Sequence, residues 1–179
     1  MQSFKIIKPI HILTPYVRYY WILEDGADVS VSERTLPTGC IQLVFHRGKR
    51  LLLVGKKESQ PQAFICGQCL NFSDVMSAGK IEMITVVFQP YAARAILQLP
   101  LKFFYGELIA VDAIEDLELS ILSRKVIEAD DHETCIRLIE QFLIHRLYRF
   151  EGYEYNLKRI SVVLHQINEQ AKTKNKKKY

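Results

Sequence analysis

Cys66-Gly67-Gln68-Cys69 is the sharpest chemical spacing in the sequence, two thiols separated by two residues. Such a pair does redox chemistry where a strand meets a helix N-terminus, because the helix dipole lowers the first thiol's pKa. The residues that follow, Leu70-Asn71-Phe72-Ser73-Asp74-Val75, carry no helical apolar stripe, so that dipole is missing. As half of a zinc site the pair needs two more ligands. Cys40 and Cys135 have no partner at ligand spacing, and His11, His46, His132, His145 and His165 are scattered. Neither a metal nor a cofactor is expected. Reduced thiols buried in a strand are the favoured reading.

Other chemistry leaves fewer traces. There is no Gly-x-Ser-x-Gly, no phosphate-binding glycine loop and no His-Glu-x-x-His. The carboxylates Glu115, Asp116, Glu118, Asp130, Asp131 and Glu133 cluster where helices begin, and offsetting the helix dipole already explains them. Tyr19, Tyr20 and Trp21 offer the aromatic wall of a small-molecule pocket, or simply core. Arg34, Gln42 and His46 lie near or within the same predicted β module and favour the pocket slightly. Nothing here requires catalysis.

The element that must position these groups runs from Leu36 to Gly48, bounded by the turn signals Pro37 and Gly39 and by Gly48 itself. As a strand it places Ile41, Leu43 and Phe45 on one apolar face and Gln42, Val44 and His46 on a mixed one. Further strands are expected over 4–8, 17–24, 29–35, 50–54, 62–66 and 81–88. In the second of these Val17, Tyr19, Trp21 and Leu23 share a side. Arg47-Gly48-Lys49 has hairpin length between the central strand and Arg50–Val54.

At Pro90 the pattern turns helical, with Tyr91–Leu97 alanine-rich and stopped by Leu99-Pro100. Asp112-x-x-Glu115 reads as a capping box for a helix burying Ile114, Leu117, Ile121, Leu122 and Val126. Asp130-x-x-Glu133 repeats the device before the longest helix, about 131–150, with Cys135, Leu138, Ile139, Phe142, Leu143 and Leu147 as its stripe. Asn156 caps a last amphipathic helix, to Gln170, carrying Leu157, Ile160, Leu164 and Ile167. Strands first and helices afterwards suggest an α+β protein, an antiparallel β-barrel or sandwich followed by a helical C-terminal half, or a β domain with a helical coda. The divisions are a β module over 1–90, a helical module over 91–155, the final helix over 156–170 and a lysine-rich tail over 171–179.

The formal charge of +4 over 179 residues misleads. Lys172, Lys174, Lys176, Lys177 and Lys178 are five of the 24 basic residues, and without them 19 face 20 acidic ones. The body carries no basic stripe of the kind that reads DNA, and a lysine tail is more often merely solvated. No apolar run approaches the roughly 18 residues of a membrane span, and no signal peptide is evident, so a cytoplasmic protein without membrane contact is expected.

Pro15-Tyr16-Val17-x-x-Tyr20-Trp21, then Leu36-Pro37-x-Gly39-x-x-x-Leu43-Val44-Phe45-x-x-Gly48, then Val86-Val87-Phe88-x-Pro90-x-Ala92-Ala93 before Leu99-Pro100 form an ordered set. Together, from about Pro9 to Phe150, they resemble the N-terminal regulatory domain of one group of AraC-type transcription regulators. The resemblance implies a cupin-like β-barrel as sensory module over 1–90, followed by packing or dimerisation helices over 91–155. It also implies a helix-turn-helix pair that binds DNA, whose recognition helices are absent here. Gln42 stands where a metal cupin carries a histidine, and no His-x-His precedes it.

The function expected is therefore non-catalytic ligand sensing, dimerisation, or both, in control of an attached or partner DNA-binding domain. A small-molecule effector is expected at Tyr19, Trp21, Arg34, Leu43, Phe45 and His46, between the strands bearing Trp21 and Phe45. A homodimer is expected through Leu138, Ile139, Phe142 and Leu143. The alternative is a small enzyme or thiol-redox protein using Cys66 and Cys69 or an unrecognised pocket.

Overall fold

The computed structural model describes residues 2–26, 32–35, 39–68, 71–77, 79–90, 92–100, 105–106 and 108–149. The expected helix over 156–170, the lysine tail, Pro37, Cys69, Tyr91 and residues 29–31 lie outside them. Among the described residues nine strands come first, β1 (Gln2–Ile7), β2 (Val17–Asp25), β3 (Ser32–Thr35), β4 (Gln42–His46), β5 (Leu52–Leu53), β6 (Glu58–Ser59), β7 (Ala63–Cys66), β8 (Ser73–Met76) and β9 (Ile81–Phe88), and a tenth, β10 (Leu108–Ala110), follows the first α-helix. Helices α1 (Ala93–Leu97), α2 (Leu117–Glu128) and α3 (His132–Tyr148) belong to the second half, with β10 between α1 and α2. The α+β division read from the sequence is observed. No helix among the described residues is long and apolar enough to cross a membrane.

The strands form two sheets, one ordered β1-β2-β9-β4-β7-β10 and the other β3-β8-β5-β6. Pairing is antiparallel and nested: β2 with β9, β3 with β8, β4 with β7 and β5 with β6. Each inner pair thus lies within the chain bounds of the outer one. Among the described residues the expected barrel does not close. The large sheet ends at β1 and β10, the small one at β3 and β6.

Period-two alternation gives the large sheet two apolar faces. Tyr20 and Ile22 of β2, Leu43 and Phe45 of β4, Ile65 of β7 and Ile84, Val86 and Phe88 of β9 form one face. They are packed in a single core with Ile96, Leu119, Leu122, Val126, Ile139 and Leu143 of the helices. Val44, Phe64 and Met83 point the other way and pack with Leu51 and Val75 towards the small sheet. Each fully buried side chain of this size contributes about 1.5–3 kcal/mol. A β-bulge between Val17 and Tyr19 shifts the phase of β2, so Val17 joins Tyr20 in the helix-side core instead of sharing a side with Tyr19 and Trp21.

Two local expectations are corrected. Arg47-Gly48-Lys49 is not a hairpin turn: β4 pairs with β7 and β9, whereas β5 pairs with β6 and β8 in the other sheet. The segment instead runs on along β9, with Arg47 and Gly48 amides donating to the Glu82 carbonyl and the Lys49 amide to that of Lys80. Gly48 is there for space, since a Cβ would lie 2.7 Å from both Glu82 N and Lys80 O. The helix caps are also displaced. Asp116, not Asp112, caps α2 by accepting from the Leu119 amide at 3.0 Å, and Asp131, not Asp130, caps α3 by accepting from Thr134 at 2.7 Å. Asp112 instead belongs to a 3-10 turn over Val111–Ala113, and Leu117, expected inside, is exposed.

Candidate functional site

The two sheets do not pack to closure. A cavity of about 580 Å³ lies between them, within the range of small-molecule sites. Trp21 of β2, Met83 of β9, Gln42 and Val44 of β4, Phe64 and Cys66 of β7 and Leu108 of β10 form its wall on the large sheet. Leu53, Ser73 and Asp74 face them from the small sheet, with Leu51 just before β5 and Gln60 from the loop before β7. The wall is mostly apolar, and its polar groups are mostly amides and hydroxyls.

Gln60 is held in place from both ends. Its backbone amide donates to the Leu51 carbonyl at 2.7 Å, and its side-chain oxygen accepts from His46 Nε2 at 2.9 Å. His46 is wholly buried, with its ring 5.8 Å from that of Phe64. Burial pushes its pKa below the ordinary value, against a smaller upward pull from the Gln60 bond. The ring is therefore neutral, and since Nε2 donates, Nδ1 is a bare acceptor with no partner among the described residues. Thr85, in register between Trp21 and Val44, likewise keeps its hydroxyl buried and without a partner there.

Charge stays at the cavity's exposed edge. Asp74 accepts two bonds from the Arg34 guanidinium, at 2.8 and 3.1 Å, and that guanidinium stacks on the Phe72 ring at 3.9 Å. The hydrogen bonding raises the Arg34 pKa and lowers that of Asp74, so the two stay charged and mutually satisfied. No group of three or more metal-ligating side chains occurs among the described residues.

A second polar centre joins this β module to the helices. Arg47, on the segment leaving β4, pairs with Glu82 of β9 at 2.5 Å and donates at 2.6 Å to the carbonyls of both Val126 and Ala129, at the end of α2. It also reaches Cys135 Sγ of α3 at 3.0 Å. His132, at the start of α3, completes the centre 3.1 Å from Glu82. Burial raises the carboxylate's pKa, but the Arg47 and His132 bonds outweigh it and hold Glu82 below its ordinary value. Burial likewise pushes the Cys135 thiol up, so it stays protonated.

The residues expected to bind a ligand thus divide. Trp21 lines the cavity, His46 stands directly behind Gln60, and Arg34 holds the edge residues Asp74 and Phe72. Leu43 and Phe45 lie on the opposite face, fully buried against the helices, and Tyr19 does not line the cavity. The strands of Trp21 and Phe45 are not neighbours, since β9 separates them. Sequence reasoning missed Gln60, Phe64 and Met83, although the period that placed Gln42 and Val44 together could have pointed to the mixed face. Of the four residues expected at a dimer surface, Ile139 and Leu143 are completely buried, leaving Leu138 and Phe142 partly exposed. Cys66 is a thiol on the cavity wall, while its proposed partner Cys69 lies outside the described residues.

Fold and cavity define a class: a mixed α+β domain whose two antiparallel sheets flank a ligand-sized cleft and are backed by helices on one side. Residues 5–110 match a family described as a domain of unknown function, DUF6597. This is more than half of the chain, which belongs to that family. No curated protein matches the sequence.

Proposed function

We propose that this protein is a non-catalytic ligand-sensing domain of an AraC-like transcription regulator. Its cavity takes a small effector, and its helices pass the state of the cavity to a DNA-binding domain, attached or supplied by a partner. The observation that carries the reading is the cavity between the sheets. In support, the nested strand pairing resembles that of a double-sheet jelly roll, the architecture of cupins. The Arg47 centre supplies a route from sheet to helix, because it ties β9, which lines the cavity through Met83, to both α2 and α3. A ligand acts only through its differential affinity for two arrangements of these helices. We further place a homodimer contact on α3, at Leu138 and Phe142.

The reading is tested by titrating the protein with N-phenyl-1-naphthylamine, an uncharged dye that brightens in apolar sites, while light scattering follows the mass. Saturable one-to-one uptake, abolished when Val44→Trp fills the cavity, is the expected result. Absence of saturable uptake by the natural protein overturns the sensory reading. A monomer at high concentration, with and without dye, overturns the dimer.

A further inference from the structure

We propose that the ligand of this cavity is an uncharged molecule with an apolar body and an oxygen acceptor, selected by the side-chain amide of Gln60. The inference rests on reading the cavity as a ligand site, and it adds what that site chooses.

Gln60 is more than nine-tenths buried, yet its amide nitrogen donates to none of the described residues. Its oxygen is already taken by His46 Nε2, so the nitrogen is the end of the carboxamide left for a ligand. An amide nitrogen only donates. What meets it must therefore be an acceptor, such as a carbonyl, ether or hydroxyl oxygen. A ligand that covers this donor without offering an acceptor strands it at a cost, which makes the group a discriminator rather than a passive contact.

His46 acts through Gln60 as a positioning residue. It is wholly buried beside Phe64, and its bond to the Gln60 oxygen leaves the carboxamide nitrogen to the cavity. Around the amide the wall is Trp21, Val44, Phe64 and Met83, which suits a flat or branched hydrocarbon body. No countercharge stands among these four. Of the charged lining residues, Asp74 is satisfied by Arg34, and Lys56 is exposed at the edge. A charged ligand would lose its hydration there without gaining a partner.

Three matched probes test the selection: 4-phenylbutan-2-one, butylbenzene and 3-phenylpropionate, each titrated against the full chain. The chain's single tryptophan, Trp21, lines the cavity, so its indole N–H resonance is an unambiguous reporter. The ketone is expected to bind about 5-fold tighter than butylbenzene, the worth of one hydrogen bond, and about 10-fold or more tighter than the carboxylate. In Gln60→Leu the ketone and the hydrocarbon become equal. Equal binding of the two by the natural protein, or a carboxylate as tight as the ketone, overturns the selection while leaving the cavity a ligand site. So does a ketone preference that survives in Gln60→Leu. The comparison within the natural protein stands whether or not the variant folds. If none of the three probes and no N-phenyl-1-naphthylamine binds, the sensory reading falls and the selection falls with it.

Discussion

Arg47 and Glu82 meet at 2.5 Å where the chain leaves the large sheet, and the same guanidinium carries the last carbonyls of α2. A single cation therefore satisfies a carboxylate on the cavity-bearing sheet and the end of a helix on its far side. Replacing it by methionine would preserve most of the volume but leave Glu82 with His132 alone and strand two carbonyls. We expect Arg47→Met to cost about 3 kcal/mol, read as the fall in urea-denaturation free energy. Arg47→Lys should recover little of it, because an ammonium cannot span the same fork. Full recovery by lysine would contradict the clamp.

The Glu82 carboxylate sets an acid limit. Its folded pKa is held below the unfolded value by Arg47 and His132, in spite of burial, so the stability it contributes is complete above about 4.5. That contribution is lost as pH falls through the depressed folded value. Glu82→Gln should flatten the acid limb of a plot of denaturation midpoint against pH. An unchanged limb would assign acid sensitivity elsewhere.

His46 acts at higher pH. Its ring is kept neutral in the fold mainly by burial, while the unfolded ring titrates near 6.5. Stability from keeping it neutral is fully present above that value and is lost as pH falls through the lowered folded pKa. The urea midpoint should therefore drop between pH 7.5 and 5.5, and His46→Gln should shrink the drop. A drop of the same size in the variant would rule His46 out as its source.

Thr85 keeps a hydroxyl in the sheet interior with no partner among the described residues. Valine has nearly the same shape and suits a strand. Thr85→Val is expected to stabilise by about 1 kcal/mol, measured by thermal or urea unfolding. Destabilisation of that size would show that the hydroxyl is satisfied in solution.

Gly48 allows the chain to lie against β9. A Cβ there would stand 2.7 Å from backbone atoms, which have no flexible end to move aside. Gly48→Ala should cost at least about 2 kcal/mol in unfolding free energy. A neutral result would mean that β9 and the 47–49 segment separate easily.

The sequence by itself determined the kinds of element and their order. Branched and aromatic runs made strands up to Phe88, and 3.6-residue stripes made the helices over 117–148. It also separated Leu43 and Phe45 from Gln42 and Val44, because strand side chains must alternate. Which face looks on to a cavity was decided only by the tertiary structure. Alternation names two faces but not what covers them, and α2 and α3, more than 70 residues later, close over the wholly apolar one. The mixed face was left towards the small sheet, where the pairing of β5 with β6 and β8 turned an apparent hairpin into a crossing. His46 and Gln60, 14 residues apart, become partners through that crossing. Local propensity carries no information about such a contact, since it forms when two sheets stack.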